Sequence, residues 1–192
     1  MTCPVSYEEG TMEVAMPPFS MAFKSEPLPN NAEGVRMEMI ADLAAEALFG
    51  ESSALYLQMY EDGLIDSAFG GGFETVDDCA MLVVSGDSED PEAVRDALIR
   101  QAKHLAAEGI PEDQFLRMKR SALGRRIRGL DSFDSTCFRL CAYYFSGFDY
   151  FAFPGIYQQI TVEDIQAFLS RVVTGERCSL SVIYPLEEDD NE

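Results

Sequence analysis

The chain has 192 residues, of which 34 are acidic and 14 are basic, so its formal net charge is −20. Nucleic acids and anionic membrane surfaces are bound by clustered cations, and this charge therefore argues against both kinds of partner. Hydrophobic residues make up 47% of the chain, which excludes a disordered protein, and no apolar run approaches the ~20 residues of a membrane span.

The first half of the chain predicts a strand, two helices and two further strands. Residues 1–16 are compatible with a loop or with part of an edge hairpin, and residues 17–24 alternate as in a strand. Apolar spacing predicts a helix over residues 33–49, and Ser52 is the predicted N-cap of a shorter helix ending at Tyr60. Alternation predicts a strand over 64–74, and the apolar run 79–85 is typical of a central strand.

The second half predicts four helices and a final strand. Helices are expected over residues 91–108 and from Pro111, Ser132 and Thr161 onwards, with a strand at 177–184. Thr161 and Asp164 have the spacing of a capping box. In the helix from Ser132, one stripe is predicted to be a buried face: Phe133, Cys137, Leu140, Cys141 and Tyr144.

This order of elements predicts an α+β fold. Strands joined by a four-residue turn must be antiparallel, whereas the other strands need helical connections. We therefore expect a mostly antiparallel sheet with helices packed on one face. No linker divides the chain, so we expect a single domain of residues 1–192, with an ordered core over about 17–185 and an acidic tail at 187–192.

Few residues are suited to catalysis or metal binding. His104 is the only histidine, so a Ser-His-Asp triad or a two-histidine zinc motif would need residues from another chain. His104 with Glu108, and Cys137 with Cys141, lie four residues apart and could share a metal, but neither pair has a further ligand nearby. A surface polar pair and two small core residues are the simpler interpretations. We expect no catalytic residue, metal site or cofactor in this chain.

The five cysteines, an odd number without a Cys-x-x-Cys pair, favour reduced thiols and a cytoplasmic location. A second compositional feature is the concentration of six of the fourteen basic residues within 117–128. These cations either pair locally with acids on a solvated helix face or form a docking patch for an acidic partner.

Three consecutive glycines lie in the predicted strand 64–74. They leave the backbone approachable, which suits a β-bulge, the simpler interpretation, or a peptide paired along a sheet edge. For the second case we predict a peptide-binding edge made of Phe69, Gly70, Gly71, Gly72 and Phe73, with the two rings flanking the added strand. The alternative is an internal strand whose glycines relieve crowding against a helix.

Residues 50–67 contain the patterns Gly-x-Ser-Ser-x-Leu-Tyr and Glu-x-Gly-Leu-Ile-Asp. They resemble the segment after the first long helix in non-catalytic domains of the pitrilysin/insulinase family of zinc metallopeptidases, which includes the processing peptidases. The similarity continues through 86–91, 109–115, 128–132 and 160–165, and so covers about 17–185. It is strongest to the C-terminal domain of bacterial members that work as paired subunits.

The resemblance implies that two α+β domains form a chain and that two chains or halves close around a peptide. Zinc is bound in another domain by His-x-x-Glu-His and a later glutamate, a motif that this sequence lacks. The arginine and tyrosine with which many members hold the substrate correspond to Met59 and Asp66 here, and neither side chain can replace them.

A non-catalytic domain that walls a peptide chamber is therefore the leading expectation. Its partners would be a zinc-bearing catalytic domain or a paired peptidase subunit, together with the peptide substrate. Such a domain, when isolated, should expose an apolar patch and either form a homo-oligomer or bind the catalytic domain. The alternative is a stand-alone module that binds peptides or proteins without peptidase activity.

Overall fold

The computed structural model describes residues 2–76, 78–145 and 147–186. Within these ranges the chain forms one five-stranded sheet, with the strands β1 (Tyr7–Met12), β2 (Pro18–Ser25), β3 (Gly70–Val76), β4 (Cys79–Asp87) and β5 (Cys178–Pro185). The α-helices of the same ranges are α1 (Ala32–Phe49), α2 (Ala54–Glu61), α3 (Pro91–Glu108), α4 (Glu112–Arg128), α5 (Phe133–Phe145), α6 (Phe153–Gln159) and α7 (Val162–Val172).

The strands are ordered β1-β5-β2-β4-β3 across the sheet. Strand β2 pairs antiparallel with both β4 and β5, so that Met21 lies between Val84 and Leu180. Strand β3 pairs antiparallel with β4, and β1 pairs parallel with β5. The predicted α+β fold with a mostly antiparallel sheet is confirmed.

The core lies between one face of this sheet and the helices. Alternate residues of the central strands point towards it, and Met21, Phe23 and Leu82 are fully buried. Helix α1 packs against β3, α3 and α7, and α7 also packs against β2. The apolar run predicted as a central strand is β4, which lies between β2 and β3.

The helix starts follow local capping chemistry. The Asn31 side chain accepts hydrogen bonds from the backbone N–H groups of Glu33 and Gly34 at the start of α1. Thr161 and Asp164 form the predicted capping box of α7. The cap of α2 is Ser53, whose side chain accepts from the N–H of Tyr56, and not Ser52 as predicted.

Two predicted strand regions differ from the structure. Residues 7–12 form the edge strand β1, but they pair with β5, which separates them from β2 and so rules out a hairpin between β1 and β2. The strand predicted over 64–74 is wrong at its start, because β3 begins at Gly70. The Leu64 N–H donates to the Met59 carbonyl, so residue 64 is still hydrogen-bonded to α2. The Asp66 side chain then accepts a hydrogen bond from the N–H of Ala68 in a turn.

The predicted buried face of α5 is also wrong. No residue of this helix is buried, and Phe133 and Tyr144 are exposed, whereas Leu140 is partly buried against the core. Helical spacing shows that a helix has an apolar face without showing what covers that face.

The predicted acidic tail at 187–192 lies outside the described residues. Among the helices of the described ranges, none combines the length and the apolar character that a membrane span requires.

Candidate functional site

Strand β3 is an edge strand of the sheet. Within the described residues β4 is its only neighbour, so the main-chain groups on its other side face no strand. Such an edge is a template for pairing with another extended chain. The alternative of an internal strand is therefore wrong, and the crowding that involves Gly71 comes from β4 rather than from a helix.

A groove of about 610 Å³ runs beside this edge, and we refer to it as the β3 groove. Strand β3 contributes the three glycines, and no side chain of residues 70–72 narrows the space. Across from them lie α1 and the helices that follow α3. The lining includes Gly70, Gly71, Gly72, Asp42, Glu46, Phe49, Arg125, Arg126, Arg139 and Tyr157.

The charges of the β3 groove are arranged in pairs between α1 and α4. Arg125 donates to Glu46 over 3.0 Å. Arg126 lies 3.5 Å from a carboxylate oxygen of Asp42 and 3.9 Å from one of Glu38. The Arg126 side chain is only 11% exposed, and its guanidinium lies 5.9 Å from the centre of the Tyr157 ring. The groove therefore offers both signs of charge on fixed side chains.

Helix α5 contributes its inner side to this network. The Tyr143 hydroxyl donates to Glu38 over 2.8 Å and lies 3.5 Å from Arg126. Arg139 donates to the Tyr150 hydroxyl over 3.2 Å, and no carboxylate among the described residues pairs with it. Of the cations in the groove, Arg139 therefore has the guanidinium best suited to donate hydrogen bonds to a new carboxylate or carbonyl partner.

Burial is the main reason that the pKa of Asp42 is raised to about 6, and the negative charge of Glu38 adds to it. The neighbouring Arg126 acts in the opposite direction. Burial followed by the charge of Glu38 also raises the pKa of Tyr143, so this phenol stays protonated and keeps donating its hydrogen bond. Both groups belong to the network of polar contacts that joins α1, α4 and α5.

The predicted edge residues do not all share one role. Gly70, Gly71 and Gly72 line the β3 groove, and Phe73 on the same strand is half-buried against Phe168. Phe69 precedes the strand, and its ring is buried among Phe19, Phe49 and Tyr56. Phe69 therefore anchors the start of β3 in the core, and it borders the β3 groove with only 4% of its surface exposed.

The charged wall of the groove was not predicted from the sequence. A signal for it existed: Glu38, Asp42 and Glu46 recur every four residues along the predicted helix 33–49, which places them on one face. Arg125 and Arg126 belong to the basic segment 117–128. Four of the six cations in that segment have partners, which supports local pairing: Arg117 with Asp113, Lys119 with the Ile160 carbonyl, Arg125 with Glu46, and Arg126 with Asp42.

The possible metal ligands are dispersed. His104 is exposed on α3, Cys137 and Cys141 lie on α5, and Cys178 is buried in β5. In the parts of the chain that the structure describes, no three His, Cys, Asp or Glu side chains come together in a metal-binding arrangement. Met59 is buried in the core, and the Asp66 carboxylate accepts a hydrogen bond from the N–H of Ala68 in a turn.

The sequence model of the family described as the peptidase M16 inactive domain matches residues 7–122. The chain belongs to this family. The resemblance to insulinase-type zinc peptidases is thereby confirmed. A curated relative, the uncharacterized zinc protease YmfH of Bacillus subtilis, is 28% identical over 183 residues, which cover 93% of this chain and 42% of that protein.

Solved structures share the fold of this M16 inactive domain. An M16-like peptidase from Alicyclobacillus acidocaldarius matches with a TM-score of 0.88 and 19% identity, over 96% of this chain and 44% of that one. The inactive peptidase domain of a zinc protease from Bordetella parapertussis matches with a TM-score of 0.73 and 12% identity, over 94% of this chain and 97% of that one. The chain thus spans less than half the length of YmfH and of the Alicyclobacillus protein.

Proposed function

We propose that this M16 inactive domain forms one wall of a peptide chamber, against a zinc-bearing catalytic domain on the same protein or on a paired subunit. The observation that carries the proposal is the open edge of β3, where three glycines border the β3 groove. A peptide in extended conformation would add to this edge through main-chain hydrogen bonds. Such pairing tolerates many sequences, as a peptide-degrading chamber requires.

The groove supports this binding mode sterically. Open space surrounds the positions where β-carbons at residues 70 and 72 would lie, so another backbone can approach β3 closely there. Phe73 continues the strand beyond the glycines and packs edge-to-face against Phe168, with 5.8 Å between the ring centres. In this arrangement residues 70–73 hold the peptide backbone, while Arg139 is placed to bind a carbonyl or carboxylate of the peptide.

The proposal assigns no chemical step to this chain. In the described residues no group of His, Cys, Asp and Glu side chains suits a zinc ion, and we assign zinc and the water that it would activate to the catalytic domain. The contribution of this chain is to hold the peptide extended and to restrict its motion near the catalytic centre, which lowers the entropic cost of reaching the transition state.

The test combines this chain with the zinc-bearing catalytic domain of the same peptidase and follows cleavage of a fluorescence-quenched peptide. We expect no cleavage by this chain alone, slow cleavage by the catalytic domain alone, and faster cleavage by the two together. A rate that does not change when this chain is added would contradict the proposal. Peptide binding by the chain without any effect on that rate would instead favour the stand-alone binding module.

A further inference from the structure

The outer face of α5 carries large aromatic side chains that none of the described residues covers. Phe133, Phe138, Tyr144 and Phe145 have exposures of 80%, 74%, 77% and 79%. At 3.6 residues per turn these four side chains occupy an arc of about 140° of the helix surface. Cys141 lies within the same arc and is exposed. We call these four aromatic residues the α5 outer face.

The opposite side of the helix is held firmly. Tyr143 bonds to Glu38 and stacks on Tyr150 with ring centres 5.3 Å apart, while Arg139 donates to the Tyr150 hydroxyl. The Thr136 hydroxyl donates to the Leu130 carbonyl over 3.2 Å. These contacts fix the rotation of α5, so the exposure of its aromatic side chains follows from a defined position of the helix.

A soluble protein rarely leaves such a surface in water. Monomers seldom expose contiguous apolar patches of more than a few hundred square ångströms, and larger patches mark sites of association. Phenylalanine and tyrosine are also enriched at the centres of protein interfaces. The α5 outer face therefore has the composition of an interface that is uncovered in this chain.

We propose that the α5 outer face docks onto an apolar, basic-rimmed surface of the zinc-bearing catalytic domain, an inference that rests on the function proposed above. More than half of YmfH and of the Alicyclobacillus protein lies outside the part matched here, so these relatives contain a further region large enough to cover the helix.

Charge favours this occupant over a second copy of the chain. Two copies would each carry a formal net charge of −20, and the exposed Asp131 and Asp134 beside the aromatic residues would face each other. Lys or Arg around the partner's apolar surface would instead complement these carboxylates. A basic rim is therefore the chemical signature expected of the partner surface.

The first test measures the dissociation constant between this chain and the catalytic domain for the native chain and for the double variant Phe138→Ser/Phe145→Ser. The control is Tyr60→Ser, because Tyr60 is another exposed aromatic residue, on α2. We expect the double variant to weaken binding at least about tenfold, which equals ~1.4 kcal/mol, and the control to bind like the native chain.

A second measurement needs no substitution. Cys141 on the α5 outer face and Cys79 at the start of β4 are both exposed, so alkylation of the native chain reports on two surfaces at once. The catalytic domain should slow the alkylation of Cys141 and leave that of Cys79 unchanged. Equal rates at Cys141 with and without a bound catalytic domain would overturn the assignment of the surface.

The outcomes separate this inference from the proposed function. If the catalytic domain binds the native chain and the double variant equally well, α5 is not the docking surface, while the proposed function stands. If the native chain neither binds the catalytic domain nor accelerates cleavage, the proposed function fails and the inference fails with it. Self-association that disappears in the double variant, without binding to the catalytic domain, identifies a second copy as the occupant and also overturns the inference.

Discussion

Gly71 on β3 lies against the main chain of Val83 on β4 so closely that a β-carbon at position 71 would overlap the Val83 carbonyl oxygen. Gly72, the next residue, has open space where its β-carbon would lie. The two glycines therefore serve different purposes. Gly71 permits the close pairing of β3 with β4, whereas Gly72 keeps the outside of the strand accessible.

The first prediction concerns stability. Gly71→Ala should lower the free energy of unfolding by about 1–3 kcal/mol, because the strands must separate to admit the methyl group. Gly72→Ala, the matched control, should leave stability unchanged or raise it by less than about 1 kcal/mol. Urea unfolding of both variants measures this difference. Equal stabilities would show that the β3–β4 pair adapts without cost.

The second prediction concerns peptide binding at the edge of β3. Gly72→Val should preserve the fold and weaken binding of an extended, fluorescein-labelled peptide about tenfold, or ~1.4 kcal/mol, because the isopropyl group enters the β3 groove. Gly10→Val is the control, since Gly10 lies in the opposite edge strand and also has free space around it. Fluorescence anisotropy measures both affinities. Weaker binding by the Gly10 variant, with the Gly72 variant unaffected, would place the peptide at β1 instead.

The third prediction tests the contact between α5 and α1. Tyr143→Phe should destabilise the protein by about 1.5 kcal/mol, because it removes a part-buried hydrogen bond to the Glu38 carboxylate. Tyr144→Phe alters the adjacent, exposed ring and should change stability by less than about 0.5 kcal/mol. Thermal unfolding of the two variants provides the comparison. A loss of stability of similar size in both would mean that the Tyr143 hydroxyl contributes little.

The fourth prediction follows from the pKa of Asp42, which burial raises to about 6. The folded protein binds the Asp42 proton more tightly than the unfolded chain, so this carboxyl stabilises the fold at low pH and loses that effect as the pH rises through about 6. The free energy of unfolding of Asp42→Asn, relative to that of the native chain, should therefore increase as the pH rises from 4 to 7. Urea unfolding of both proteins across this pH range measures the difference between their free energies of unfolding. A difference that does not change with pH would contradict the prediction.

Local signals in the sequence were sufficient for much of the fold. The spacing of Thr161 and Asp164 predicts the start of α7, and the apolar run from Cys79 predicts the central strand β4. Each of these signals acts over a few residues, through a hydrogen bond or through the burial of alternate strand residues. The sequence predicted less where the same residue pattern is compatible with several different tertiary environments.

Helix α5 and the β3 groove show this limit. Phe133 and Tyr144 lie on a regular apolar stripe, and the stripe looks the same whether the chain's own core or another protein covers it. In the groove, Arg126 meets Asp42 across 84 positions of the chain. That pairing depends on how α1 and α4 pack in three dimensions, and the spacing of residues within either helix does not determine it.

The position of β5 between β1 and β2 has a consequence for the order in which the sheet is assembled during synthesis. Strands β2, β3 and β4 can pair once the first half of the chain has left the ribosome, because all three lie within residues 18–87. Strand β1 is made first but has no neighbour until Leu180 arrives opposite Tyr7. Closing so long a loop is slow. The first of these five strands to be synthesised is thus expected to be among the last to be ordered, and loss of β5 would leave β1 without a place in the sheet.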